Sequence, residues 1–543
     1  MKNIFRKIYL LPALGVLLLG SCAKMIDEAY TNPNATVRVP VETLLPNIIA
    51  NMAISHTAQG TLYGPQNDGQ YVGRYVQYWA TNTSLNQYDR MGGATGASDI
   101  LGSIWAMHYY GMGGNLNKMI EWGIEEQKWD YVGVGKAIRA WSWLTLTDMY
   151  GEVILKEAFD PSRLVFAYDT QEEVYEEVKK TAYEALSYLS RTDGNVSQAN
   201  LALGDAYGNG GDVEKWKKFA HAVLARTFHR VSNKPSYEPD SVIHHANLAM
   251  LTNDENTNVT WSNEQGTGTY SYYSPFRGNV GTFRQTKFIA DLMSGINPAI
   301  PTGEIDPRAY YIIRENSLGE FKGIRPAKGA EGLTDVTGPS NFWGGAFTST
   351  AATATDANAR YIFTNAPIWP VATAAEMKFL KAEAHFLDGD KGAARTALIE
   401  GINLHFDQLI SDYEDHVPMA VRITPATRAA YISDPNVVPA QNDLTLSHIM
   451  LQKYIAMYGW GMVETWVDIR RYHYTDVDDN GLQVYRDFAP PSGSDLWPDN
   501  QGKLVYRARP RYNSEYLYNV AELQRIGALA LDYNTKEQWF SQP

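Results

Sequence analysis

An acidic loop near the carboxyl-terminal end of the chain has the residue types and the spacing of a calcium-binding loop. Asp476, Asp478 and Asn480 alternate along it, Gly481 follows, and Asp487 comes six residues later. Carboxylate and amide oxygens are the ligands that calcium prefers, and such loops turn sharply at a glycine. Against this match, the last ligand is Asp rather than Glu. The sequence predicts that these four oxygen-bearing side chains hold a structural calcium ion, with a solvated acidic turn as the alternative, and it predicts no other cofactor.

Cys22 is the only cysteine of the 543 residues, and it stands where a lipid could be attached. Three cations near the amino terminus precede an apolar run at residues 8–19, which is too short to span a bilayer but typical of a secretory signal. Gly20 and Ser21 supply the small residues that a signal peptidase needs. This pattern resembles a bacterial lipobox, which predicts removal of residues 1–21 and lipidation of Cys22. The alternative is an ordinary signal peptide followed by a chance cysteine.

Residues 22–40 are predicted to form a flexible, lipidated tether, because Asn, Thr and Pro dominate this segment. Its acidic pair, Asp27 and Glu28, resembles the signal that exports some Gram-negative lipoproteins to the outer face of the outer membrane. The predicted location is therefore the outer membrane, on the extracellular side. The net charge of the chain is −13, and the removed segment carries cations only. This excess of acid argues against a nucleic-acid partner and leaves the lipid as the only membrane contact.

The residues after Cys22 contain no thiol, which excludes cysteine catalysis, disulfides and thiolate metal sites together. The chain also lacks the HExxH, G-x-S-x-G and P-loop signatures, and no G-x-G-x-x-G occurs between a strand and a helix. Carboxylates are numerous, but a glycosidase pair is defined by its separation in space. The chain is predicted to be no enzyme, with a surface glycoside hydrolase kept as a lesser alternative.

Aromatic residues are abundant, with 14 Trp, 35 Tyr and 17 Phe. A sugar site needs aromatic faces that stack on C–H groups and polar side chains that satisfy hydroxyls. Aromatic residues on helical stripes are needed for the core, so loop residues are the candidates, with ordinary loop packing as the alternative. The predicted ligand-binding residues are Trp79, Tyr88, Arg90, Tyr270, Tyr272, Tyr273, Phe342 and Trp343.

The elements that must position these residues are predicted to be mainly helices within one domain, residues 41–543. Apolar side chains recur at helical spacing before residue 190, after residue 212 and again after residue 374. Thr170 and Thr373 each precede a Glu at the third following position, the pattern of a capping box. Periodicity fails over residues 253–374, apart from a short helix at 283–293. This loop-rich insertion is predicted to carry the ligand site.

Two further helical patterns bear on the scaffold. Residues 382–394 predict two helices joined at a glycine turn, the layout of a tetratricopeptide-type hairpin. Residues 447–472 predict one long helix. Glu383 lies on the apolar face of the first hairpin helix, so it is predicted to be a buried carboxylate with a structural partner, Arg470 or Arg471.

Several segments, taken in order, resemble the SusD/RagB family of outer-membrane nutrient-binding lipoproteins. The resemblance spans nearly the whole chain after Cys22 and rests on the order and spacing of its segments rather than on any one motif. The matching segments are 136–153, Trp216–Ala220 with Arg226 and Arg230, Asp306–Arg308, Glu376 with Lys381–Ala384, Gly401–Ile402, Gln452–Lys453, Trp466–Arg471 and Arg511–Tyr516.

The resemblance implies a mainly α fold in which tetratricopeptide-like hairpins form a scaffold and long irregular loops carry the ligand site. It also implies a partner, a TonB-dependent transporter of the SusC type, to which the lipoprotein delivers its nutrient. An oligosaccharide is the favoured ligand, and a peptide is the alternative within the family. From another class, a tetratricopeptide-like adaptor without a small ligand also stays open.

Overall fold

A computed structural model describes residues 38–53, 55–56, 62–63, 65–83, 89, 91, 100–262, 270–350 and 355–543. The predicted signal peptide, Cys22 and nearly all of the tether lie outside these residues, as do Tyr88 and Arg90. Expectations for them therefore stay predictions.

Seventeen α-helices lie within the described residues. They are α1 (Leu45–Ala53), α2 (Pro65–Tyr75), α3 (Ser103–Ala106), α4 (Gly113–Glu125), α5 (Trp129–Tyr150), α6 (Gln171–Leu189), α7 (Gln198–Gly204), α8 (Val213–Arg230), α9 (Pro239–Leu248), α10 (Lys287–Met293), α11 (Ala309–Ile312), α12 (Ala374–Leu387), α13 (Lys391–Tyr413), α14 (Pro425–Ser433), α15 (Leu446–Ala456), α16 (Met462–Arg471) and α17 (Val520–Arg525). None of these helices combines the length and the apolar character that crossing a membrane requires.

The strands are short and form three antiparallel pairs. Trp79 pairs with Gln285 in one of them, and Val259 pairs with Trp369 in another. The strands are β1 (Ser55–His56), β2 (Leu62–Tyr63), β3 (Trp79–Thr81), β4 (Thr257–Thr260), β5 (Phe283–Gln285) and β6 (Ile368–Ala372), paired β1–β2, β3–β5 and β4–β6.

Stacked helical hairpins form the scaffold. Helices α5 and α6, α8 and α9, and α12 and α13 are each packed as a pair, and α6 contacts α8 while α9 contacts α12. The predicted hairpin at 382–394 is observed: Gly389 turns the chain at φ +89°, and the Asp390 carboxylate caps α13. A Cβ atom at Gly401 of α13 would lie 2.9 Å from the Phe379 ring of α12, so a glycine lets these two helices approach closely.

Helix α5 runs through the centre of the scaffold and is buried on nearly every face. It stops at Gly151, whose φ of +82° is a conformation that glycine adopts readily. The Thr170 capping box is also observed, with reciprocal bonds between Thr170 and Glu173. The Thr373 hydroxyl likewise accepts the Glu376 amide, but the Glu376 carboxylate binds Arg226 instead of closing the box.

Three sequence expectations about elements were wrong. Residues 447–472 form two helices, α15 and α16, because Gly459 adopts φ +80° and breaks the helix between them. The pattern at 283–293 combines strand β5 with helix α10. The aromatic-rich pattern at 70–79, which predicts a helix, combines the end of helix α2 with strand β3. Elsewhere in 253–374, the described residues form only short elements, as expected for a loop-rich insertion.

Candidate functional site

Five of the predicted ligand-binding aromatic residues lie in the core. The exposed fractions are 0% for Trp79 and Tyr273, 1% for Phe342 and Trp343, and 3% for Tyr272. Their burial agrees with the alternative of ordinary packing, and their role in ligand binding stays a prediction. No measurement of ligand contact tests the eight residues, but these five present no open face to a sugar.

Contacts among the five rings explain their burial. The Trp343 indole N–H donates to the carbonyl of Tyr273 at 3.0 Å, and the Phe342 ring stacks on Phe363 with centroids 4.0 Å apart. Trp79 meets Tyr273 edge-on at 5.6 Å. Irregular backbone thus supplies a second aromatic core, since a loop can bury rings as well as a helical stripe can.

Helix α2 has small residues on the side that faces these rings. A Cβ atom at Gly73 would overlap the Trp79 indole, and a Cβ atom at Gly69 would lie 3.1 Å from the Tyr273 hydroxyl. The two glycines are four residues apart and share one face of the helix. They give the rings the space that larger side chains would fill.

The opposite side of α2 carries a half-exposed stripe with binding chemistry. Asn67, Gln70, Tyr71 and Arg74 are the half-exposed residues of the helix, at positions i, i+3, i+4 and i+7. This spacing places all four on one face. Two amides, an aromatic ring and a guanidinium are groups that bind hydroxyl-rich ligands. We call these four residues the α2 stripe.

A second segment borders the α2 stripe. The Tyr272 hydroxyl donates to Asn67 Oδ1 at 3.1 Å and accepts from the Gln70 amide, which ties residues 270–276 to the helix. Tyr270 is half-exposed and meets Phe276 edge-on with centroids 5.4 Å apart. Phe276 is 57% exposed. Tyr270 and Phe276 therefore form an accessible aromatic rim beside the stripe.

Arg74 is the charged group of the stripe. Its guanidinium carbon lies 5.0 Å from the centroid of the Tyr71 ring and 4.8 Å from that of Phe283. Burial lowers the pKa of Arg74, although the neighbouring tyrosines oppose this shift. The cation is thus held by aromatic faces.

Most of the other buried charges in the centre of the scaffold pair with one another. Arg226 binds Glu376 through two hydrogen bonds of 2.7 Å, and Glu464 also contacts Arg226 and Arg230. Arg230 reaches Asp148 of α5 at 3.0 Å. These pairs connect α5, α8, α12 and α16, so they are structural.

Glu383 belongs to the same network. Its carboxylate accepts from Arg471 at 2.7 Å and from the Tyr472 hydroxyl at 2.6 Å, and His229 Nε2 lies 2.8 Å from its second oxygen. Burial acts to raise the pKa of Glu383, but Arg471 and His229 hold that pKa well below its ordinary value. The prediction of a structural partner is confirmed for Arg471. Arg470 instead donates to the carbonyls of Trp466 and Tyr506.

The acidic loop does not bring its four predicted ligands together. Asp476 contacts His473, whereas Asp478 accepts the backbone N–H groups of Asn480 and Leu482. Asp487 instead lines a separate cleft. Among the described residues, no group of three or more His, Cys, Asp or Glu side chains is placed to hold a metal ion. These contacts favour the solvated turn, and calcium binding stays an untested prediction.

A small cavity lined by aromatic residues lies between α5, α16 and β6. Trp141, Trp369 and Trp460 line it, and the Arg226–Glu464 pair forms part of its wall. Its volume of about 40 Å³ has room for about one water molecule rather than a sugar ring. It therefore belongs to the scaffold in this conformation.

Sequence reasoning missed the α2 stripe and Phe276. The signal was present, because polar side chains and one tyrosine recur at i, i+3, i+4 and i+7 while glycines occupy the other face. The aromatic residues after Tyr75 continue the apolar pattern as far as Trp79, which obscures the division between the two faces of the helix.

This sequence and this architecture are both similar to known proteins. A SusD-like family model, described as starch-binding and associating with the outer membrane, matches residues 33–491. No curated protein matches the chain.

Among solved structures, a SusD/RagB family protein from Bacteroides thetaiotaomicron has 18% identity and a TM-score of 0.68, with 93% of this chain and 99% of that chain covered. A SusD homolog from Bacteroides uniformis has 20% identity and a TM-score of 0.66 over 93% and 99% of the two chains. A chitin-binding SusD homolog from Flavobacterium johnsoniae has 18% identity and a TM-score of 0.63 over 92% and 98%.

Identities this low establish the fold alone. The structural matches confirm the predicted mainly α scaffold. The family rests on the model match, which extends over most of the chain. The chain belongs to the SusD-like family, whose model is described as starch-binding and associating with the outer membrane.

Proposed function

We propose that this protein binds an oligosaccharide at the cell surface and delivers it to a SusC-like TonB-dependent transporter, without catalysing a reaction. Lipidated Cys22 would anchor it in the outer membrane, facing the medium. Family membership supports this proposal at the level of carbohydrate binding and outer-membrane association.

The α2 stripe, together with its aromatic rim, is the observation that carries the ligand assignment. Phe276 offers an open ring face for stacking, and the amides of Asn67 and Gln70 offer donors and acceptors for hydroxyls. Tyr272 connects the two segments by hydrogen bonds, so the site is largely formed before a ligand arrives. A preformed site loses less conformational entropy on binding.

Calorimetric titration of the mature chain carrying Cys22→Ser tests the proposal. The panel contains malto-, chito-, xylo- and galacturono-oligosaccharides and a peptide digest. We expect at least one saccharide to bind, and we expect Phe276→Ala to weaken that binding by about three- to tenfold. Tyr110→Ala is the matched control, because Tyr110 is 79% exposed but lies outside the stripe and the rim.

Three results would overturn the proposal. Binding of peptides alone would assign the protein a different ligand. Absence of all binding, with association to the transporter retained, would favour an adaptor. Release of reducing sugar from the panel by the pure protein would establish an enzyme.

A further inference from the structure

Among the residues that the structure describes, Arg74 lacks the carboxylate partner that several other arginines of this protein have. The guanidinium groups of Arg226, Arg308 and Arg471 are buried and each pairs with a carboxylate at 2.6–2.7 Å. Arg74 forms no salt bridge with any described residue, and its Nε–H is buried without a hydrogen-bond partner. A cation that is partly withdrawn from water without an anion costs free energy.

The described part of helix α2 does not supply a partner for this cation. Arg74 lies in the last turn of α2, where a cation favours the helix dipole, but its side chain donates no hydrogen bond to the terminal carbonyls. Asp68, the acid of the same helix, is buried and accepts the backbone N–H groups of Ser103 and Ile104 at 3.2 and 2.7 Å. The Asp68 carboxylate therefore binds the backbone at the amino-terminal end of α3.

The rings beneath Arg74 fix its position without neutralising it. Tyr71 and Phe283 attract the cation through their faces. The Nε–H is buried, whereas the two terminal nitrogens are not, so the terminal nitrogens are the groups that can donate to a ligand. A planar guanidinium matches a carboxylate with two parallel hydrogen bonds. The amides of the same stripe flank the cation on one helix face, so an acidic group and sugar hydroxyls can be bound together.

We propose that the α2 stripe selects an acidic oligosaccharide, with the carboxylate of a uronic acid unit bound by Arg74. This inference rests on the proposed function, because it names the class of saccharide that the same site takes. The net charge of −13 opposes the approach of an anion. Selectivity for an anion would therefore come from the local positive charge of Arg74. A sulfate ester shares the chemistry of a bound anion, so the experiment includes it.

The test compares four probes on the mature chain carrying Cys22→Ser. They are tetragalacturonate, its methyl ester, a sulfated galacto-oligosaccharide and maltotetraose. We expect tetragalacturonate to bind, and its methyl ester to bind about tenfold or more weakly, since a charged hydrogen-bonded pair is lost. Preference for the sulfated probe would identify sulfate as the bound anion and would overturn the uronate assignment.

Variants of the arginine complete the design. Arg74→Gln is expected to weaken tetragalacturonate binding by about tenfold or more, and Arg74→Lys by less, because the charge is kept. Arg163→Gln is the matched control, since Arg163 is an exposed arginine already paired with Glu157 and Asp160. If Arg74→Gln fails to fold, the comparison of ester with acid on the unsubstituted site still decides the question.

The outcomes separate this inference from the proposed function. Binding of maltotetraose with an affinity equal to that for tetragalacturonate would refute the acidic ligand and leave saccharide binding intact. Unchanged tetragalacturonate affinity in Arg74→Gln would also refute it. Absence of binding to every saccharide would overturn the inference and the proposed function together.

Discussion

At the scale of single residues, exposure separates aromatic side chains that stabilise the fold from those that can meet a ligand. Trp343 and Phe276 both come from irregular segments, yet the first is 1% exposed and the second 57%. The Trp343 indole packs in the core and donates to Tyr273, whereas the Phe276 ring contacts Tyr270 at its edge and faces solvent. Substitutions at these two positions should therefore affect different properties.

We expect Trp343→Ala to lower the free energy of unfolding by about 3–5 kcal/mol, because it leaves a large cavity and an unpaired carbonyl. Phe276→Ala should change it by less than about 1 kcal/mol and should act on ligand affinity instead. Urea unfolding followed by tryptophan fluorescence measures both. A stable Trp343→Ala protein with normal unfolding would contradict the core assignment.

A second residue-scale prediction concerns Glu464. Burial acts to raise its pKa, but Arg226 and Arg230 lower the pKa to about 2, below the ordinary value near 4.5. The pairing therefore contributes stability in full above pH 4.5, and this contribution is lost as the pH falls toward 2. Glu464→Gln should be destabilised by about 1–3 kcal/mol at pH 7, because Arg226 and Arg230 lose their contacts with an ionised carboxylate but keep Glu376 and Asp148 as partners.

The difference between Glu464→Gln and the wild type should shrink as the pH falls from 4.5 toward 2. Denaturation curves at pH 7, 5 and 3 measure this trend. A difference that stays constant over this range would show that the carboxylate is not held ionised by the two arginines.

At the scale of elements, glycines set how closely helices approach. A Cβ atom at Gly401 of α13 would lie 2.9 Å from the Phe379 ring of α12, so the hairpin has no space for it. Gly114 of α4 is exposed, and a Cβ atom there would meet nothing within 4 Å. Gly401 is therefore closely packed and Gly114 is not, so substitutions at these two helical glycines can be compared directly.

Gly401→Ala should lower the free energy of unfolding by about 1–3 kcal/mol, since the ring must shift or the helices must separate. Gly114→Ala should be neutral or stabilising by up to about 1 kcal/mol, because alanine favours the helix. Thermal unfolding of both variants provides the measurement. Equal effects would argue against close packing of α12 on α13.

At the scale of the whole molecule, the proposed binding site and the predicted anchor lie in different parts of the chain. The α2 stripe lies at residues 67–74, whereas Cys22 is followed by the predicted tether, residues 22–40. A flexible tether lets a domain move while its anchor stays in the membrane. Anchoring and ligand binding should therefore be separable.

Cys22→Ser should move the protein from the membrane fraction to the soluble fraction without changing its affinity for a saccharide. Fractionation of expressing cells and calorimetric titration of the purified protein measure the two properties. Retention in the membrane fraction would contradict lipidation at Cys22. Loss of saccharide binding would contradict the separation of anchor from site.

The sequence by itself determined the helical scaffold, because periodicity, capping and glycine turns are local signals. The hairpin at Gly389 and the burial of Glu383 followed from such signals, whereas the choice of Arg471 over Arg470 as the partner of Glu383 depended on the tertiary structure. The tertiary structure alone decided which loop aromatic residues are buried, since burial depends on what distant segments bring. Gly69 leaves space for Tyr273 from a segment far along the chain, and Gly73 leaves space for the Trp79 indole; this packing leaves Phe276 exposed and Tyr71 and Arg74 half-exposed.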